Sequence, residues 1–180
     1  SSDSVTVNGN TYSFTRSSSV SGQDFRGIID RSHGWVPNIE TGHGFNLNDS
    51  FNDAIGNTVS GPWFGMQLSN QIIAKSLKLY IYNPILTRAA KNFSIYGSNN
   101  GSTWYLIGST GSLASTSSYS NVGQTEWTDV FTGTYAGTEA QYHELSLTNS
   151  TAYSYYRVSV QECFGGVWTL NEFSRGQRRW

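Results

Sequence analysis

The chain has 180 residues, a formal net charge of −1 and only 13% charged residues. This length suits a single domain, and the near-neutral charge provides no basic field to attract nucleic acid or anionic lipid. Because Cys163 is the only cysteine, an intramolecular disulfide and a cysteine-based metal site are both excluded.

The composition indicates an exposed, strand-rich protein. Gly, Ser, Thr and Asn are abundant, 14% of the residues are aromatic, and no apolar run approaches the about 18 residues that cross a membrane as a helix. Strand formers and turn residues therefore dominate over helix formers. This mix is typical of secreted and virion-surface proteins, so we expect an extracellular or virion location.

Short segments of alternating apolar residues, separated by turn residues, recur along the chain. Residues 5–7 and 12–14 flank an Asn-Gly-Asn turn and predict an opening hairpin, whereas residues 31–62 show no clear alternation. Seven further strands are predicted at 63–68, 77–82, 93–96, 104–107, 143–147, 155–160 and 167–173. About nine strands without a helix predict an all-β sandwich of two facing sheets. We expect one domain over 1–180, with 1–16 as an N-terminal β-hairpin extension.

The most informative stretch is GSNNGSTW at 97–104, preceded by the alternating strand KNFSIY. Gly and Asn tolerate positive φ, so this stretch predicts a strand, a tight turn and a second strand. It resembles the signature of the discoidin-like (coagulation factor V/VIII type C) domain family. Four more motifs resemble that family in its order: FRGIID at 25–30, PWFGMQL at 62–68, YSYYRVSV at 153–160 and LNEFS at 170–174.

The resemblance implies an antiparallel jelly-roll β-sandwich that binds ligands with loops at one end. The chain departs from the family in having Asp30-Arg31 for its Asp-Gly and Gln67-Leu68-Ser69 for its Asp-Leu-Gly. It also lacks the terminal cysteine pair of the coagulation branch, which argues against phosphatidylserine binding. In character it is most similar to galactose-type carbohydrate-binding modules and to microbial and phage-tail members.

The resemblance also implies a structural Ca²⁺ ion. Matching the family's ligands position by position gives Asp30 and Glu172, with backbone carbonyls and the Ser32 hydroxyl nearby. These are the hard oxygen ligands that Ca²⁺ prefers. A second register, in which Asp53 is followed by Thr58, also fits the spacing, and both registers remain open.

Sugar-binding sites in the family combine an aromatic residue, a histidine and an Arg/Asn pair on end loops. An aromatic ring stacks on the C–H face of a sugar, while oriented polar groups bind its hydroxyls. The candidates in this chain are His33, Trp35, Asn83, Arg88 and Trp127, with Asn92 on the same connection as Asn83. Three other residues are expected to be structural instead: Trp63 and Trp104 in the core, and His143 as a satisfied buried histidine.

The sequence thus predicts a non-catalytic binding module for a glycan on a cell or matrix surface. The alternative is an assembly module that docks other protein subunits in a virion, tail fibre or extracellular matrix. Carboxylate pairs such as Glu126 with Asp129 are sequence neighbours, and this does not establish the separation across a cleft that a glycosidase needs. Nucleic acid and membrane partners are not expected, because the loops are polar and sparsely charged.

Overall fold

The computed structural model describes residues 4–7, 9–17, 49–82, 89–121, 140–165 and 172–174. Within these ranges it has twelve strands, one turn of 3₁₀ helix at Thr116–Ser118 and no α-helix, so the predicted all-β class is confirmed. The strands are β1 Ser4–Val7, β2 Asn10–Arg16, β3 Ser50–Asn52, β4 Thr58–Ser60, β5 Trp63–Ile72, β6 Ser76–Tyr82, β7 Ala90–Ser98, β8 Tyr105–Ser109, β9 Ser120–Asn121, β10 Ala140–Ser146, β11 Tyr153–Cys163 and β12 Glu172–Ser174.

The strands form two main antiparallel sheets and a small hairpin. The larger sheet has the order β1-β2-β5-β11-β7-β8, the smaller has the order β12-β6-β10-β9, and β3 pairs only with β4. Alternate residues of the central strands point into one core between the two sheets, as period-2 alternation requires. This core contains Phe64, Met66, Leu68, Phe93, Ile95, Val158 and Val160 from the larger sheet and Leu77 and Leu79 from the smaller.

The N-terminal hairpin is part of the larger sheet. Gly9 has a φ of 77°, a conformation that glycine adopts readily at a tight turn. Strand β2 pairs with β5, with Tyr12 opposite Leu68, and both Tyr12 and Phe14 are buried in the core. The segment predicted as an extension therefore contributes two large side chains to the sandwich.

The β3–β4 hairpin gives regular structure to the last part of residues 31–62, the range without clear alternation in the sequence, while 31–48 lie outside the described residues. Phe51 and Val59 face each other across the hairpin and pack against Tyr96 and Trp104. Phe51 meets the Tyr96 ring edge to face, with 5.0 Å between the ring centroids. Because Ile95, the neighbour of Tyr96, lies in the main core, this hairpin covers the opposite, outer face of the larger sheet.

Arg157 lies at the centre of this outer cluster. Its guanidinium carbon is 3.6 Å from the ring centroid of Trp63, 4.0 Å from that of Trp104 and 4.7 Å from that of Phe51. Burial lowers the pKa of Arg157 to about 10, and its buried Nε has no hydrogen-bond partner within the described part of the chain. Trp63 and Trp104 are thus structural residues whose rings stack on the Arg157 cation. Trp104 is buried and Trp63 is half-buried.

The predicted turn between β7 and β8 is confirmed. Gly101 has a φ of 73°, and Asn100 Oδ1 accepts hydrogen bonds from the backbone N–H groups of Ser102 and Thr103, both at 2.8 Å. Ser98 Oγ accepts a third backbone N–H, from Gly101, at 3.0 Å. These local bonds fix the turn, and β8 leaves it as an edge strand of the larger sheet.

Candidate functional site

The five predicted sugar-binding residues fall on three segments, 18–48, 83–88 and 122–139, that lie outside the described residues. The described residues that flank these segments locate the places where each one leaves and rejoins the sandwich. The residues concerned are His33, Trp35, Asn83, Arg88 and Trp127.

Segment 18–48 begins and ends beside the start of β5. The backbone N–H of Ser17 donates to the carbonyl of Trp63 at 2.9 Å, and that of Gly61 donates to the carbonyl of Asp49 at 2.7 Å. Trp63 in turn pairs with Ser159, near the end of β11. Both ends of this segment are therefore held at the end of the larger sheet where β5 starts.

Segments 83–88 and 122–139 leave from that same end of the sandwich. Tyr82, the last residue of β6, pairs with Ala140, the first residue of β10, while Asn121 pairs with Gln141. The Tyr119 hydroxyl donates to the carbonyl of Ala90 at 2.7 Å, which joins the start of β7 to this group. We name this end, flanked by Ser17, Asp49, Tyr82, Ala89, Asn121 and Ala140, the loop end.

Tyr119 and His143 form a rigid support at the loop end. The Tyr119 ring is buried and contacts His143 and Phe164, with centroid separations of 5.6 and 6.4 Å. His143 Nδ1 lies 2.8 Å from the carbonyl oxygen of Ser118, so this nitrogen carries the proton and donates. His143 is half-buried and not buried as expected, although its Nδ1 is satisfied by the Ser118 carbonyl. Burial raises the pKa of Tyr119 well above its usual range.

A shallow depression of about 540 Å³ lies beside this support, where segment 122–139 begins. The described part of its lining is uncharged and consists of hydroxyl and amide side chains around Tyr119. One wall is fixed by a hydrogen bond of 2.9 Å from Gln141 Nε2 to Asn121 Oδ1. Such groups can bind the hydroxyls of a polyol, but the depression offers no acid or base for catalysis among the described residues.

Asn92 does not belong to the connection on which the sequence placed it. It lies within β7, opposite Glu162 of β11, and its side chain is half-buried. The neighbouring Lys91 pairs with Glu162 at 3.8 Å, and Ser112 donates to the same carboxylate at 3.0 Å. Partly exposed pairs of this kind contribute little to stability, so this charge pair borders the loop end without defining it.

The predicted calcium ligands are only partly described. Asp30 lies outside the described residues. Glu172 lies in β12, and its backbone pairs with that of Tyr80 in β6. In the alternative register, Asp53 Oδ1 accepts the backbone N–H groups of Ile55 and Asn57 at 3.1 and 2.8 Å.

The second oxygen of Asp53 is also engaged, because Asn57 Nδ2 donates to Oδ2 at 3.1 Å, and the Thr58 hydroxyl bonds Asn52 instead. Both oxygens of the carboxylate thus accept N–H groups within their own turn, and these three hydrogen bonds use three of its roughly four lone-pair sites. The described ranges hold no group of three acidic, histidine or cysteine residues that could bind a metal.

Sequence reasoning missed two features that the structure brings together. The Arg157 stack could have been found from the alternation in β11, which places Arg157 on the face opposite Val158. The cleft lined by Tyr105 and Tyr153 joins residues from distant parts of the chain, and no local signal indicates it.

Comparison with known proteins places the chain in a recognised fold. No protein-family model and no curated protein sequence matches it. Among solved structures, the family 32 carbohydrate-binding module of Clostridium perfringens NanJ, in complex with galactose, matches with a TM-score of 0.52 and 11% identity over 90% of each chain. A module of the same family from C. perfringens GH89, in complex with GalNAc-β-1,3-galactose, matches with a TM-score of 0.55 and 10% identity over 90% of this chain and 92% of that one.

A third match is the structure of the CBM32-1 and CBM32-2 domains of C. perfringens ZmpB, with a TM-score of 0.54 and 13% identity. The match covers 89% of this chain but spans only about a third (33%) of that longer chain. These likenesses confirm the discoidin-like jelly-roll sandwich expected from the sequence motifs. At such low identity they establish the fold, and they leave the ligand to be argued from this chain's own residues.

Proposed function

We propose that this chain is a non-catalytic carbohydrate-binding module that holds a galactose-type sugar at its loop end. The observation that carries the proposal is the convergence of strand ends there. Three segments leave the sandwich within one region. Together they carry two tryptophans, a histidine and an Arg/Asn pair. Structural neighbours with the same fold are carbohydrate-binding modules, and two of them are in complex with galactose or a galactose-containing disaccharide.

The binding mechanism follows from the residue types. Trp35 or Trp127 stacks on the C–H face of the sugar, while Arg88, Asn83 and His33 bind its hydroxyls. The buried Tyr119 ring, packed against His143 and Phe164, supports the loop end from within the sandwich. A small polar ligand that is only partly buried binds weakly, so we expect a Kd between about 1 μM and 1 mM, with avidity from multiple copies.

Calcium is a second part of the proposal. Asp30 and Glu172 would supply carboxylate ligands, together with backbone carbonyls, and the ion would hold the loop-end segments in place. We prefer the Asp30 register to the Asp53 register, because the Asp53 carboxylate already accepts three hydrogen bonds within its own turn.

We propose an extracellular or virion-surface location, where a module of this kind meets its glycans. The polar surface and the low charge of the chain support it. Among the described residues, no helix has the length and apolar character needed to cross a membrane.

A glycan array followed by calorimetry with galactose and N-acetylgalactosamine tests the proposal. Arg88→Ala and Trp35→Ala are expected to weaken binding at least about tenfold, since each removes one of few contacts. Lys75→Ala is the charge-matched control: its ammonium donates to the Asn149 carbonyl at 2.8 Å, away from the loop end. If no glycan binds and a partner protein is captured tightly instead, the assembly alternative replaces the proposal.

A further inference from the structure

A second concave surface lies at the other end of the sandwich. The cleft of about 330 Å³ is lined by Asn99, Asn100, Thr103, Tyr105 and Tyr153. It adjoins the β7–β8 turn, whereas the loop end adjoins the start of β7 at Ala90. Strand β7 has nine residues, so the two ends are separated by about 26 Å along the strand. We name this surface the hairpin-end cleft.

The walls of the hairpin-end cleft are held rigidly by hydrogen bonds. Asn99 Oδ1 accepts from Gln71 Nε2 at 3.0 Å and from the backbone N–H of Ser154 at 2.9 Å, and its Nδ2 donates to the carbonyl of Ala152 at 3.1 Å. Asn99 thus ties together β5, the β7–β8 turn and the start of β11. A cleft built on fixed walls loses little conformational entropy when a ligand enters.

An aromatic platform forms one side of the cleft. Tyr105 is 50% exposed, and its ring stacks on that of Tyr153 with an interplanar angle of 21° and 6.4 Å between centroids. Tyr153 is 8% exposed and packs over Gly97, where a Cβ would lie only 2.3 Å from its ring. The buried ring therefore fixes the exposed ring, which offers a flat, oriented apolar surface at the mouth of the cleft.

Polar side chains with donor groups also line the cleft. Asn100 Nδ2 donates one N–H to Thr103 Oγ1 at 3.2 Å, and Asn99 Nδ2 donates one to Ala152. An amide nitrogen carries two N–H groups and a threonine hydroxyl carries one O–H, so each of these three side chains retains a donor for a ligand oxygen. None of the described residues that line the cleft is charged.

We propose that the hairpin-end cleft is a second glycan-binding subsite, specific for a neutral sugar such as a hexose or an N-acetylhexosamine. Stacking on Tyr105 supplies the apolar contact, and the amide and hydroxyl donors bind ring hydroxyls or an acetamido carbonyl. An acidic sugar is disfavoured, because the uncharged lining would strip water from its carboxylate without a cation to replace it. Because the two sites lie at opposite ends, one copy of the chain would join two glycan chains.

Site-resolved NMR tests this proposal separately from the loop-end proposal. The probes are galactose, N-acetylgalactosamine, N-acetylglucosamine and glucose, each titrated into the full chain, with galacturonic acid as the acidic comparison. We expect at least one neutral sugar to shift the side-chain amide signals of Asn99 and Asn100 and the backbone signal of Gly101. Galacturonic acid is expected to leave these signals in place.

Three variants assign the effect to the cleft. Tyr105→Ala is expected to weaken binding at these signals about tenfold, and Tyr105→Phe to retain it, because the ring supplies the contact. Leu106→Ala is the matched control: Leu106 is the next residue of β8 and is 55% exposed, but it does not line the cleft. In all three variants, sugar-induced shifts at Asn121 and Gln141 of the loop end should be unchanged.

The outcomes at the two ends are independent. If no neutral sugar moves the hairpin-end signals, or if Leu106→Ala weakens binding as much as Tyr105→Ala, the second subsite is refuted whatever happens at the loop end. If the hairpin-end signals shift while Arg88→Ala leaves all binding intact, the loop-end proposal fails and the second subsite stands.

Discussion

Replacing Arg157 separates the contribution of its charge from that of its packing. The guanidinium fills the slot between Trp63 and Trp104, with its carbon 3.6 and 4.0 Å from the two ring centroids, and the Phe51 ring closes a third side. Each such contact contributes about 0.5–2 kcal/mol, depending on how far the cation is desolvated. Opposing these gains is the cost of burying the charge, which also lowers the pKa of Arg157 to about 10.

The balance between stacking and the cost of burying the charge predicts how strongly three variants lower the free energy of unfolding. Arg157→Ala empties the slot and should destabilise the protein by about 3 kcal/mol, as large-to-small changes in packed sites do. Arg157→Lys keeps the charge but loses the planar stack, and should cost about 1–2 kcal/mol. Arg157→Met fills the slot and removes the desolvation penalty of the cation, so it should cost less than about 1 kcal/mol.

Equilibrium unfolding in urea, followed by circular dichroism, measures these differences. Gln67→Ala is the control, because Gln67 is exposed on the adjacent strand and its backbone lies opposite Tyr155 on the same sheet. If Arg157→Ala proves no more destabilising than Gln67→Ala, the stack does not hold the β3–β4 hairpin. If Arg157→Met is as damaging as Arg157→Ala, the cation itself contributes more than the packing, and the predicted order of the variants is refuted.

Three further predictions address the core, pH and calcium. Gly97→Ala should destabilise the protein by about 2–3 kcal/mol in urea unfolding, since a Cβ would meet the Tyr153 ring at 2.3 Å. In Gly108→Ala the Cβ would meet a terminal methyl group of Leu147 at 2.3 Å, with Leu145 and Ile95 at 3.4 and 3.7 Å, and this variant should cost less because a leucine methyl group rotates away more easily than a tyrosine ring. Burial raises the folded-state pKa of Tyr119, so stability should be retained below pH 10, the ordinary tyrosine pKa, and lost as the pH rises beyond it. Tyr119→Phe should flatten this alkaline loss in melts between about pH 9 and 11, and an unchanged slope would contradict it. If Ca²⁺ binds the folded state, adding it at 100 times its Kd should stabilise the protein by about 2.7 kcal/mol and EDTA should reverse this, whereas a melting temperature indifferent to both would rule the ion out.

The strands that the sequence predicted are those with several alternating apolar residues. Strands β7 and β11 each bury a run of alternate side chains, including Phe93 and Ile95 in one and Val158 and Val160 in the other. The turn at 97–101 was predictable for a different reason, because glycine and asparagine there satisfy a local backbone requirement. In both cases the deciding interaction lies within a few residues of the chain or repeats with a simple period.

The missed hairpin lacks such a repeated local signal. Strands β3 and β4 have three residues each, and each offers one apolar side chain, Phe51 and Val59. Their partners, Tyr96 and Trp104, lie more than 35 residues away in the sequence, so the pairing depends on the assembled sheet. Arg157 was missed because a charged residue in an alternating strand is normally expected to face solvent, and only the two indole rings make its partial burial favourable.

The tolerance of a sandwich core explains how this fold persists at 10–13% identity to its structural neighbours. A sandwich core requires apolar side chains of suitable volume at alternate positions, and many residue combinations meet that requirement. The described members of this core lie on the strands of the two sheets or directly beside them, and many sequences satisfy that pattern. The fold alone therefore does not carry a neighbour's sugar over to this chain. The ligand of this chain must be decided by the residues at its own two ends, which is why substitutions at Trp35, Arg88 and Tyr105 are the decisive ones.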